Sequence, residues 1–124
     1  MTSRELAGLV REAALDKKAR DVVEIDLSGR SPVTDFFVIC EGDTDRQTRA
    51  IADGIRDAAQ KAGSKPFQVS GEEDGAWILL DFVDVIVHVM LPGERAFYDL
   101  ETLWAAPQMA KAAAAPRRPR KALP

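Results

Sequence analysis

Between Trp77 and Leu91 the chain reads WILLDFVDVIVHVML, and this alternation leaves few folds open. Successive side chains of an extended strand point to opposite faces of a sheet. A bend at Phe82–Val83 turns the stretch into a β-hairpin in which Leu80 faces Val85, Leu79 faces Ile86 and Trp77 faces His88. One face then carries Ile78, Leu80, Val85, Val87, Val89 and Leu91, wholly apolar and suited to a core. The other carries Trp77, Leu79, Asp81, Asp84, Ile86, His88 and Met90. A buried face does not accept charge cheaply, and a solvent face has little reason to gather Trp, Leu, Ile and Met. Large apolar groups ringed by charge are the composition of a protein-binding patch. The competing reading is that Trp77 is covered, by a helix or by the C-terminal WAAP segment.

The rest of the chain supplies partners for this hairpin. Thr2 and Glu5 have capping-box spacing, and Leu6, Leu9, Val10 and Ala13 repeat at helical period, which predicts a helix over 4–19. VVEIDL (22–27) reads as a short strand closed by the SGRSP turn, and TDFFVICE (34–41) as a strand buried on both faces. Thr44 and Gln47 form a second capping box before a helix marked by Ile51, Ile55, Ala58, Ala59 and Ala62. Gly63 and Pro66 end it. FQVSG (67–71) is a further strand, Glu72–Asp74 a solvated acidic loop, and GERAFYDLETLW (93–104) a helix or two turns. The order α-β-β-α-β-β-β-α predicts an α/β (α+β) fold with a mixed sheet of about five strands and flanking helices.

A chain of 124 residues, 46% apolar, has enough material for one compact domain. That domain is expected over 1–104, followed by a disordered Ala- and Pro-rich tail over 105–124. The tail holds Lys111, Arg117, Arg118, Arg120 and Lys121 and no acid, leaving 12 basic and 20 acidic residues in 1–104, a net −8. An acidic body is steered toward basic proteins and repelled by nucleic acid, while the tail is suited to peripheral contact with RNA phosphate. No apolar run is long enough to span a membrane and the N-terminus lacks a signal-peptide core, so the expected compartment is the cytoplasm.

Enzyme signatures are missing. His88 is the only histidine and has no serine or cysteine placed by the pattern to pair with it. No second histidine offers a metal site, and Cys40 stands alone on a buried strand. Phosphate-loop, dinucleotide-fold and nucleophile-elbow motifs do not occur. No catalytic, cofactor or metal-binding residue is expected.

The segments DVVEIDLSGRSPVTDFFVICEGDTDRQTRAIAD and GAWILLDFVDVIVHVMLPGERAFYDLETLW resemble, in order and spacing, the ribosomal silencing factor family, which includes the Iojap and YbeB-like proteins. The resemblance covers roughly residues 4–104. It implies a fold like that of nucleotidyltransferases without their chemistry, since the GS motif and paired acids are absent and Asp35 stands alone before FFVIC. It further implies a translational repressor that binds the large ribosomal subunit through its protein number fourteen, blocks subunit joining when nutrients are scarce, and forms a homodimer off the ribosome. Trp77, Leu79, Asp81, Asp84, His88 and Met90, extended by Arg95 and Tyr98, are the residues expected to meet that partner. The alternatives are a nucleotide-binding or nucleotidyltransferase-like enzyme and an RNA-binding ribosome assembly factor. Many members of the family carry Gly at the hairpin bend where this chain has Val83. A β-branched residue resists positive φ, which predicts a looser bend here.

Overall fold

A computed structural model describes residues 1–104. The elements run α1 (Ser3–Asp16), β1 (Arg20–Asp26), β2 (Phe36–Glu41), α2 (Asp45–Lys61), β3 (Gln68–Ser70), β4 (Trp77–Asp81), β5 (Val85–Met90), α3 (Pro92–Tyr98) and α4 (Leu100–Trp104). The five strands form one mixed sheet in the order β1-β2-β5-β4-β3. β2 and β5 are parallel, and the other pairs are antiparallel. No described helix is long and apolar enough to cross a membrane. The tail expected over 105–124 lies outside the described residues.

Both helices start at the capping threonine expected from the sequence, but only α1 closes a reciprocal box. The Thr2 side chain accepts from the Glu5 amide and Glu5 answers on the Thr2 amide, so two otherwise orphaned N–H groups are satisfied. At α2, Thr44 accepts from the Gln47 amide, but the Gln47 side chain reaches past it to the Asp43 amide. The reciprocal box expected there is therefore displaced by one residue.

α1 and α2 cover one face of the sheet. Val10, Ala14, Ile51 and Ile55 pack on Val38, Cys40, Ile78, Leu80, Val85, Val87 and Val89, all fully buried. This is the apolar hairpin face expected from alternation, with one exception: Leu91 leaves the strand to become the N-cap residue of α3 and is only half-buried. The opposite face holds a second, smaller cluster of Leu27, Phe37, Ile39, Trp77 and Met90, with Ile25, Ile86, Tyr98 and Leu100 packed against it.

The hairpin register differs from the expected one. Trp77 pairs with Met90, Leu79 with His88, Leu80 with Val87 and Asp81 with Ile86. The bend lies at Val83–Asp84, one residue later than expected, and the pairing is shifted by two. A shift of two preserves the parity of every side chain, so the faces survive where a shift of one would have exchanged them. The turn is also tight, not loose. The Phe82 amide bonds the Val85 carbonyl, the Asp84 amide bonds the Phe82 carbonyl, and Val83 takes φ 76° between them. A hydrogen bond spanning a single residue at positive φ is a strained γ-turn, held here by the Asp81 carboxylate accepting from the Val83 amide at 2.7 Å.

The acidic loop is not freely solvated either. Arg49 of α2 donates to the carbonyls of Glu72 and Glu73, each at 2.8 Å, and Arg56 pairs with the Glu72 carboxylate. The buried Thr48 hydroxyl meets the Gly75 carbonyl at 2.6 Å. These bonds fix the loop that delivers Trp77 to the sheet.

Candidate docking site

The sheet face away from α1 and α2 is built by alternate residues of three adjacent strands. Phe37 and Ile39 come from β2, Ile86, His88 and Met90 from β5, and Trp77, Leu79 and Asp81 from β4. α3 and α4 return over one part of this face. Pro92 near the start of α3 suits a first turn, where its missing N–H costs nothing. Asp99 in the left-handed region separates the two helices. That geometry places Tyr98 on Trp77, with ring centroids 4.7 Å apart, and Leu100 against the same cluster.

Beneath this cover lies a polar pair. The Trp77 indole Nε1–H donates to His88 Nδ1 at 3.0 Å. The bond requires His88 to be neutral, with its proton on Nε2. Nε2 is buried without a hydrogen-bond partner, and the imidazole meets the Phe37 ring edge-on at 4.7 Å. His88 is 4% exposed, and burial pulls its pKa down to about 3. Desolvation disfavours the charged ring, so His88 is a structural acceptor for Trp77 and does not act as an acid or base near neutral pH.

At the other border of the covered area stands Arg95, 8% exposed. Its guanidinium reaches Glu41 Oε1 at 3.3 Å and Glu101 Oε2 at 2.7 Å. Arg20 approaches the second oxygen of Glu41 at 2.8 Å and Asp43 at 2.7 Å. Desolvation alone lowers the Arg95 pKa, but the Glu101 hydrogen bond and the charges of Glu101, Glu41 and Asp21 outweigh it and raise it overall. Arg95 therefore clamps α3 to the end of β2 and to α4, across the Asp99 joint.

The residues singled out in the sequence thus divide into groups. Trp77, His88 and Met90 are buried, and Tyr98 is half-buried as their lid. The structure corrects the picture of Trp77, His88 and Met90 as exposed side chains: the covered alternative for Trp77 is the one observed. Arg95 is likewise corrected, from an extension of the surface to a buried cation. Leu79 and Asp81 are half-buried beside Ile86, and Asp84 is exposed at the turn. The face therefore presents Leu79, Ile86, Asp81 and Tyr98 around a buried aromatic floor. Phe37, Ile39, Glu41, Leu100 and Glu101 were missed as members of this constellation. Their signal was the apolar run FFVIC of β2, which had to be central, and the FYDLETLW segment, read as helical but not laid on this face.

Comparison with known proteins gives the same family by independent routes. The family model described as "Ribosomal silencing factor during starvation" matches residues 1–123. The Ribosomal silencing factor RsfS of Halalkalibacterium halodurans is 42% identical over 104 residues, covering 84% of this chain and 89% of that protein. That of Bacillus subtilis is 38% identical, covering 84% and 88%. The crystal structure of a Chromobacterium violaceum protein superposes with a TM-score of 0.83 at 33% identity, covering 100% of this chain and 95% of that one. The fold and sequence together show that this chain belongs to the ribosomal silencing factor family.

Proposed function

We propose that this protein is a non-enzymatic, ribosome-associated silencing factor that represses translation by occupying the large subunit, docking on its protein number fourteen. The observation that carries the reading is the sheet face just described. α1 and α2 seal one side of the sheet, whereas the other is only partly closed by α3 and α4, leaving Leu79 and Ile86 half-buried beside Asp81. Such a face has apolar area to desolvate and carboxylates to pair with a basic partner. Leu79, Asp81, Asp84 and Tyr98 would meet the partner directly. Trp77, His88, Met90 and Arg95 would hold that surface flat and rigid from below.

Silencing by this route is steric. A domain that sits on the subunit-joining surface needs affinity and rigidity, not turnover. Off the ribosome, two copies of the chain pairing through the same partly open face would compete with docking. The site of action would be the cytoplasm.

The test is co-sedimentation with separated ribosomal subunits, followed by a subunit-joining assay. Wild type should pellet with large subunits only, and Leu79→Ser, checked for an unchanged melting curve, should bind about tenfold more weakly. Wild type that stays in the supernatant with large subunits would sink the reading. Wild type that binds but leaves subunit joining unaffected would remove the steric mechanism.

A further inference from the structure

Three of the six large apolar side chains left exposed among the described residues lie at one end of the sheet: Val33 at 72%, Phe67 at 76% and Val83 at 53%. Hydrogen bonds hold their segments in place. The amides of Asp35 and Phe36 both donate to the Asp84 carbonyl, at 2.9 and 3.1 Å, which ties the loop bearing Val33 to the β4–β5 turn. The Phe67 amide donates to the Asp81 carbonyl at 2.7 Å, which brings Phe67 to the same end of β4. Asp26, Asp35, Asp81 and Asp84 lie at this end, against Arg4 and Arg30 on Asp26 and Lys65 two residues before Phe67, which leaves it net negative by one charge.

Val83 is the informative residue. It is β-branched, it occupies φ 76°, and most of its side chain is in solvent. A strained conformation normally persists because the surrounding packing over-determines it. Here the fold gains little packing from the side chain that makes the turn difficult. A valine with so small a return inside the fold points to a contact outside it.

We infer that this end of the sheet is a second contact surface of the docking unit, and that it takes a polypeptide segment carrying aliphatic side chains between lysines or arginines. The inference rests on the docking function proposed above and extends it. Asp81 and Asp84 belong to both surfaces: the Asp81 side chain lies on the face with Leu79 and Ile86 while its backbone carbonyl anchors Phe67, and the Asp84 carbonyl anchors the loop that bears Val33. A single partner would then meet a continuous acidic and apolar border. Asp35, Asp81 and Asp84, nearest the exposed apolar residues and away from Arg4 and Arg30 on Asp26, select a basic segment and disfavour the phosphates of RNA.

The experiment is a binding titration of the full chain against purified large subunits. Its variants are Val83→Gly, the double variant Val33→Ser/Phe67→Ser, and Asp84→Lys, with Leu15→Ser as an exposed apolar control on α1. The first two should each weaken binding roughly fivefold to tenfold, and Asp84→Lys at least as much. The control should bind like wild type. Thermal midpoints should stay within those of wild type or above, because these side chains are mostly in solvent and Val83→Gly relieves the turn. Unchanged affinity in Val83→Gly and in the double variant, with Leu79→Ser still impaired, would overturn the second surface and leave the docking face standing. Failure of wild type to bind large subunits would overturn both. Tighter binding by Asp84→Lys would place RNA phosphate at this end and refute the basic polypeptide.

Discussion

Replacing Arg95 with methionine removes a charge while keeping most of the aliphatic volume, and the structure says what is then left behind. Glu41, buried at the end of β2, loses its contact with Arg95 and keeps only half-exposed Arg20 on its other oxygen. Glu101, half-buried on α4, loses its closest partner at 2.7 Å. Removing one member of a fully buried ion pair typically costs about 3–5 kcal/mol, because the remaining charge is stranded. Arg20 still serves Glu41, and water can reach Glu101, so the expected cost falls to about 2–3 kcal/mol. For a domain of this size that lowers the melting midpoint by roughly 10 °C. Urea titration and calorimetry would measure it. A double-mutant cycle apportions the loss: in a Glu101→Gln background, Arg95→Met should cost at least about 1 kcal/mol less than in wild type. Binding supplies the second readout. Below its melting transition, Arg95→Met should retain most of its affinity for large subunits, since the guanidinium faces inward. An Arg95→Met chain as stable as wild type would refute the clamp, and a fully stable chain that no longer binds would make Arg95 a surface contact after all.

The remaining predictions concern the buried polar groups. His88 is neutral when folded, with its pKa held near 3 by burial, while the unfolded ring titrates near 6.5. Because the folded value is the lower one, the unfolded state takes up protons first. The stability that depends on neutral His88 is therefore complete above about pH 6.5 and lost as pH falls toward 3, by about 2 kcal/mol at pH 5. Comparing wild type with His88→Gln from pH 7.5 to 5 should show that part of the slope missing in the variant, and equal slopes would contradict the assignment. Cys40 is fully buried, and its thiol is pushed up to about 12 by desolvation, opposed by Arg95 and reinforced by Glu41. A thiol reagent at pH 8 should label it only as fast as the domain opens, so rapid labelling of native protein would show that β2 is less protected than its packing indicates.

Much of the architecture was legible because it is written at short range. Period-two alternation assigned the faces of the hairpin correctly up to Met90, Leu91 excepted, even though the bend fell one residue away from its expected place, since a two-residue slip leaves side-chain parity intact. The capping threonines marked both helix starts, and the apolar run FFVIC announced a strand covered on both sides. The sheet face proposed for docking could be outlined for the same reason. What the local pattern could not express was depth. A tryptophan beside charges reads alike whether it lies on the surface or beneath a helix.

Tertiary structure decided that depth. Inserting β5 between β2 and β4 put His88 beside Ile39 and Phe37, a neighbourhood formed by pairing across about fifty residues of sequence. The return of α3 and α4 laid Tyr98 on Trp77 and drew Arg95 to Glu41. Val83 shows the same division in one residue. Its β-branched side chain argues for a relaxed bend, yet the hydrogen bonds of the flanking strands and the Asp81 carboxylate impose the tight one. Sequence alone specified which side chains share a face. Only the packing of elements distant in the chain determined which of them reach solvent, because burial is a property of what comes to rest on top.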